Sequence, residues 1–285
     1  MRIVSKNLVK KFNDFVSEYR VPMFIDESLE PVFVSERGDC RYRVIVISVP
    51  KAGTYLLSEL LKELGLVSTG LHIVADGSGF TDYRFVSVDE GRRNYRNYVY
   101  KVPFDQVVKR VKPGQFIVGH LHCNDYTKGC LQNFKKIFIV RELRHCLISH
   151  MRFLKETGRE DLSGFEWHRK SEKKEVMASY LREYGKIFYS MVVPLMDWMG
   201  SAGTLVLRFE DILAVSGVET AKKVPLMLKD FLRLKDGMVD LRKFLFRKTL
   251  TWSGKLSSLK EYWSDEAEAY FEEFGFDKLN KFFGY

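Results

Sequence analysis

The stretch Arg43–Gly65, RVIVISVPKAGTYLLSELLKELG, decides how the rest of the chain is read. Val44 to Val49 is an apolar, largely β-branched run, the pattern of a strand buried on both faces. Leu56, Leu57, Leu60, Leu61 and Leu64 then recur at helical spacing. Between strand and helix lies Pro50-Lys51-Ala52-Gly53-Thr54. A strand that turns sharply into a helix leaves backbone N–H groups unpaired at the helix start, and those donors together with the helix dipole favour an anion. Gly53 permits close approach of the backbone, Thr54 offers a hydroxyl, and Lys51 a mobile charge. The nucleotide-triphosphate loop G-x-x-x-x-G-K-[ST] is not met, because Thr54 follows Gly53 and the lysine precedes it. On the loop alone, a plain strand–turn–helix connection stands beside anion binding.

The bulk properties narrow the classes. An apolar fraction of 46% over 285 residues supports a sizeable core, in one large α/β domain or two small ones. The net charge of +9 suits an anionic ligand or acceptor, and equally solubility alone. No basic block or nucleic-acid motif accompanies it, which argues against a nucleic-acid partner. Cys40, Cys123, Cys130 and Cys146 form no C-x-x-C pair and are too few for a disulfide scaffold, so they read as reduced thiols of a cytoplasmic protein. No metal-ligand cluster is evident, and no apolar run of about 18 residues marks a membrane span.

Residues 1–40 read as an N-terminal addition: an amphipathic helix through Leu8, Phe12, Phe15 and Tyr19, then an extended segment packed on a main domain of residues 41–285. Within that domain, apolar runs recur at Tyr98–Val102, Phe116–Val118, Ile137–Val140 and Thr204–Leu207, alternating with helical patterns. The alternation predicts an α/β fold with a mainly parallel central sheet and helices on both faces. Ligands in such sheets sit beyond the C-terminal strand ends. Residues 66–97, rich in Gly, Ser, Asp, Asn and Tyr, read as irregular and as one wall of an acceptor pocket. Phe80, Asp82, Tyr83, Asp125, Tyr126 and Trp167 are candidates to line such a pocket, or to pack beneath the loops.

Three strand ends carry chemistry. After Phe116–Val118 comes Gly119-His120-Leu121-His122, where a histidine is placed for proton transfer near neutral pH or serves as an ordinary core residue. After Ile137–Val140 comes Arg141, whose planar fork of donors suits phosphate, with Ser149 eight residues on, about two helical turns along. After Thr204–Leu207 comes Arg208-Phe209-Glu210-Asp211, in which Asp211 reads first as the cap of the next helix.

Taken in order, these segments resemble the sulfotransferases that use 3′-phosphoadenosine 5′-phosphosulfate (PAPS). PKAGT is similar to the family's 5′-phosphosulfate loop, P-K-[SA]-G-T. His120 falls on the general-base histidine of T-H-L-P or G-H-L, although Val118-Gly119 replaces the Lys-Thr that precedes it in animal cytosolic members. Arg141, Arg144 and Ser149 fit the 3′-phosphate segment R-[DN]-P-R-D-x-x-x-S, with Leu143 for the proline and His145 for the aspartate. LRFED is similar to L-R-Y-E-D, with Phe209 for the tyrosine. The C-terminal lid R-K-G-x-x-G-x-W-K-x-x-[FW] is matched at Gly254, Lys260 and Trp263. There Trp252-Ser253 stands for Arg-Lys, and Ser257 and Leu259 for the second glycine and the tryptophan. Lys255, or Arg247 or Lys248, then supplies the phosphate charge from a shifted position.

The resemblance implies a P-loop NTPase-like sulfotransferase fold and a sulfuryl transfer from PAPS, with 3′-phosphoadenosine 5′-phosphate (PAP) as product and no metal. The acceptor is a hydroxyl or amine of a small molecule or carbohydrate. It implies Lys51 and His120 as catalytic residues. It also implies Lys51, Ala52, Gly53, Thr54 and Tyr55 at the 5′-phosphate, Arg141 and Ser149 at the 3′-phosphate, and Gly254 and Lys255 in the lid. A kinase-like phosphotransferase and a non-catalytic PAP-binding protein are the rivals. Oligomeric state is not legible in the sequence.

Overall fold

A computed structural model describes residues 36–82, 99–100, 103–156, 162, 164–213, 218–235 and 259–285. The expected N-terminal helix lies outside them. The described strands are β1 (Arg43–Ser48), β2 (Val67–Ile73), β3 (Phe80–Asp82), β4 (Val99–Tyr100), β5 (Gln115–Gly119), β6 (Phe134–Val140) and β7 (Thr204–Arg208). They hydrogen-bond in the order β4-β3-β2-β5-β1-β6-β7. β1 runs parallel to β5, with Val44 opposite Phe116 and Ile47 opposite Gly119. β2 is also parallel to β5, whereas β3 and β4 add as an antiparallel edge. The sheet is therefore mixed and mainly parallel with helices around it, as the alternation of patterns predicts. β1, β5 and β6 are buried almost throughout, which is why they read as continuous apolar runs rather than alternating ones.

One expectation fails here. The stretch 66–97 is not irregular throughout, because Val67–Ile73 and Phe80–Asp82 are strands. VSTGLHI is too polar to read as a buried run. Its place in the sheet comes from pairing with β5 across an irregularity between Ser68 and His72, supported by the Thr69 hydroxyl donating to Phe116 O at 3.2 Å.

By its contacts the chain divides into two compact units. The first holds Met1–Ile47, Ser58–Ile137 and Pro225–Val239. Phe80, Phe104 and Phe116 are its largest fully buried side chains among the described residues. The second holds Ser48–Leu57, Phe138–Val224 and Asp240–Tyr285. Its core is aromatic: Trp167 lies edge-on to Tyr180 at 5.3 Å, and Phe271 stacks on Phe276 at 5.4 Å. The helix Asp265–Glu273 starts where the sequence places it, with Ser264 Oγ accepting from Ala267 N at 3.2 Å.

Candidate functional site

In the second unit, the loop after β1 adopts the sharp turn that its residues suggest. Lys51 and Gly53 both have left-handed φ, +68° and +101°. For lysine that conformation costs roughly 1–2 kcal/mol, a strain of the kind that clusters at ligand sites. Gly53 has a second constraint. A Cβ there would lie 2.4 Å from the Phe209 ring, so only glycine lets the loop settle on that ring. Thr54 starts the helix α1 (Thr54–Glu63), and its Oγ1 lies 2.6 Å from Ser48 Oγ. Ala52, whose N–H is expected among the anion donors, gives it to Val49 O at 3.0 Å and closes a turn.

Arg141 follows β6 and immediately precedes the helix α4 (Leu143–Glu156), after α2 (Phe104–Arg110) and α3 (Asp125–Cys130). It is only 5% exposed. Its Nη1 donates to Lys51 O at 3.3 Å, and its guanidinium carbon sits 4.1 Å from the centroid of Phe209. Its Nε is buried with no hydrogen-bond partner, and no carboxylate pairs with it among the described residues. Burial works against its charge and lowers its pKa, partly offset by Cys146, Glu210 and Glu142. A buried guanidinium without a counter-ion is costly, and an anion supplied from outside relieves that cost. Arg141, His145, Ser149 and Phe153 are four residues apart, so they line one face at this end of α4. Both ends of that row touch the loop, since Lys51 Nζ lies 4.2 Å over the Phe153 ring. The structure thus brings Lys51, Gly53 and Arg141 together, with Ser149 half-buried on the face between Arg141 and Phe153.

The start of α4 is held by a carboxylate and an amide. Glu210 Oε1 accepts from Glu142 N at 3.4 Å, and Asn280 Oδ1 from Leu143 N at 2.9 Å. Arg144 matches the resemblance in sequence but pairs with Glu268 and Glu142 and lies 4.2 Å over Phe271. That arginine is architectural. Trp263, from the matched lid segment, likewise donates to Glu268 Oε2 at 2.6 Å. Asp211 is not a cap. It lies inside the four-residue helix Phe209–Ile212, whose N-cap is Arg208. Glu210 is the acid with structural partners there, including the Tyr285 hydroxyl. Gly254 and Lys255, with Arg247 and Lys248, lie outside the described residues.

In the first unit, His120 directly follows β5, as the strand-end argument requires. Its ring lies 5.0 Å from that of His72, tilted by 60°. This second histidine was not foreseen, because it sits in the stretch read as irregular. A β carbon at Gly119 would come within 2.9 Å of Ile73 O, so that glycine permits the close approach of β2 and β5 that brings the rings together. Burial, followed by the charge of His120, depresses the pKa of His72 to about 3, so it stays neutral at physiological pH.

Two pocket candidates turn out to be packing. Phe80 and Trp167 are both fully buried. Tyr126 is 47% exposed, and its hydroxyl accepts from Asp105 N at 3.2 Å. Tyr83 lies outside the described residues. Among the described residues no group of three or more His, Cys, Asp or Glu gathers as metal ligands do, and no helix is long and apolar enough to cross a membrane. All four cysteines are free thiols.

No family model matches the sequence, and no curated protein matches it by sequence. Solved structures do. The chain is similar to mouse sulfotransferase SULT7A1 complexed with PAP, with a TM-score of 0.53 and 12% identity over 87% of this chain and 89% of that one. It is also similar to retinol dehydratase in complex with androsterone and the inactive cofactor PAP, with a TM-score of 0.51 and 13% identity over 83% and 80%. At such identity the likeness speaks for the fold. The chain has the α/β sulfotransferase fold.

Proposed function

We propose that the chain is a cytoplasmic PAPS-dependent sulfotransferase, residues 41–285 forming the catalytic domain, acting on a hydroxyl or amine of a small-molecule or carbohydrate acceptor. Arg141 is the observation that carries this reading. It is a buried cation with an orphaned Nε and no carboxylate partner among the described residues, fixed to the carbonyl of the loop lysine. The fold, shared with two structures that hold PAP, supports the same conclusion. The residues present fit the nucleotide: a buried guanidinium suits a phosphate, and glycine at position 53 lets the loop pack on Phe209, the ring on which Arg141 also lies.

PAPS, when bound, supplies the sulfuryl group and leaves as PAP. Arg141 and Ser149 hold the 3′-phosphate, and Gly254 and Lys255 close over the nucleotide. Loop donors and the Thr54 hydroxyl hold the 5′-phosphate, and Lys51 stabilises the negative charge that grows on the bridging oxygen. His120 takes the acceptor proton, a contribution of typically ~10²–10⁴-fold in rate. The neutral His72 packed against it does not compete for that proton at physiological pH.

Calorimetric titration with PAP, beside ATP without and with magnesium, tests the reading. PAP is expected to bind and ATP to bind weakly. Arg141→Ala should weaken PAP about 10–100-fold, the usual cost of losing a charged hydrogen-bond partner. Tight ATP binding without PAP binding transfers the site to the kinase reading. PAP binding without sulfuryl transfer to a broad acceptor panel makes the protein a PAP-binding module.

A further inference from the structure

In the row Arg141–His145–Ser149–Phe153, His145 is a polar residue that the proposed site does not use. His145 lies one turn beyond Arg141 and one turn before Ser149, on a row whose two ends both touch Lys51. Its Nδ1 is buried and has no hydrogen-bond partner among the described residues, the same state as Arg141 Nε. The acids near it are engaged elsewhere. Glu142 accepts from the His145 backbone N–H at 3.1 Å, from Arg144 at 2.9 Å and from Asn280 at 2.8 Å. Glu210 accepts from Glu142 N at 3.4 Å and from the Tyr285 hydroxyl. Among the described residues, two buried nitrogens on adjacent turns are thus left without partners, and no carboxylate pairs with the Arg141 cation beside them. Orphans of this kind are rare, and a ligand with several acceptor oxygens satisfies both at once.

We propose that His145 is a proton-linked ligand of the nucleotide's 3′-phosphate: it is neutral in the free protein and takes up a proton when a phosphate monoester dianion docks on Arg141. The inference rests on the nucleotide reading above. The electrostatics agree with the geometry. Burial, then Arg141, hold the imidazole below its ordinary pKa, with Arg144 adding to the effect and Glu142 and Glu210 opposing it. A dianion on Arg141 cancels the repulsion from that arginine and adds an attraction, so the pKa rises on binding. Nδ1 then carries a proton, taken from solvent, and donates to a phosphate oxygen. An aspartate at this position, as the resemblance expects, adds a permanent negative charge. Histidine instead adds a positive charge only when the phosphate is present.

By linkage, PAP affinity should fall as pH rises through the bound-state pKa of His145, by up to about tenfold per pH unit for one proton. Proton uptake is measured directly by titrating PAP at about pH 7 in two buffers of different ionisation enthalpy. Ionisation of the nucleotide's own phosphates, whose second pKa is about 6, has the opposite sign, because it releases protons on binding. Wild-type protein should take up a fraction of a proton, approaching one. His145→Gln should abolish the uptake and weaken PAP about tenfold near pH 6.5, and should leave adenosine 5′-phosphate, which lacks the 3′-phosphate, unaffected. The wild-type imidazole, followed by NMR, should titrate at higher pH with PAP bound, which decides the matter even if the variant fails to fold.

If PAP binds in an Arg141-dependent way without uptake, or with uptake that survives His145→Gln, the proposal is wrong and the nucleotide reading stands. If PAP does not bind, both are wrong.

Discussion

Two strand ends in this molecule each pair a residue legible in the sequence with a histidine that takes on meaning only in the folded chain. At the end of β5 the legible residue is His120 and its companion is His72. At the end of β6 the legible residue is Arg141 and its companion is His145. Burial is the leading influence on both companions and lowers the pKa of each. Their surroundings then diverge. His72 is shaped first by burial and then by His120, which hold it neutral far below physiological pH. His145 sits among two arginines and two glutamates, and in the proposal above the charge of a phosphate on Arg141 acts on it as well. The same side chain is inert filler beside one site and a potential proton carrier beside the other.

The largest expected effects separate the two corners by what they bind. His120→Ala should lower turnover about 10²–10⁴-fold with PAP affinity unchanged. Lys51→Ala, on the loop that touches Arg141, should lower turnover about 10²–10³-fold and weaken PAP as well. Steady-state rates beside calorimetry read both, and a His120 variant with full turnover assigns the proton to another group.

Gly53→Ala strikes the second corner through packing. The new methyl meets the Phe209 ring at 2.4 Å, in a backbone conformation with φ of +101°. Overpacking costs about 1–3 kcal/mol, with roughly 1–2 more for the left-handed backbone. Urea unfolding should register that loss, and PAP binding should fall with it. A variant of unchanged stability and affinity shows that the loop does not rest on Phe209 in solution.

The smallest effect concerns the inert histidine. Because His72 keeps its proton off down to about pH 3 when folded, and takes one near 6.5 when unfolded, its burial costs nothing above pH 6.5. As pH falls below 6.5 the unfolded chain gains a proton that the folded chain refuses, and stability drops by up to about 1.4 kcal/mol per pH unit. His72→Phe keeps a ring in place and removes the titration. Its unfolding midpoint should therefore fall less than that of wild type between pH 7 and pH 5. Equal falls show that His72 is solvated.

How far the sequence could be read follows from the range of the interactions involved. The strand–loop–helix of Arg43–Gly65 is written in adjacent residues: a continuous apolar run, a turn glycine, then leucines at helical spacing. His120 and Arg141 were legible for the same reason, as polar residues directly after apolar runs. Ser264 was legible as a hydroxyl one residue before an acidic helix start. VSTGLHI was not, because β2 owes its conformation to pairing with β5, some 48 residues away between Val67 and Gln115.

The sequence by itself therefore determined the alternation of strands and helices outside residues 66–97, the sharp turn with its lysine, and the strand-end histidine and arginine. All of these depend on neighbours within a few residues. The tertiary structure alone decided that Trp167 and Phe80 are core, that Phe209 lies under Gly53 and Arg141, and that Phe153 lies under Lys51. It also decided that His72 stays neutral while His145 faces two arginines. Those outcomes turn on which distant side chains exclude water from one another, and local patterning carries no record of that.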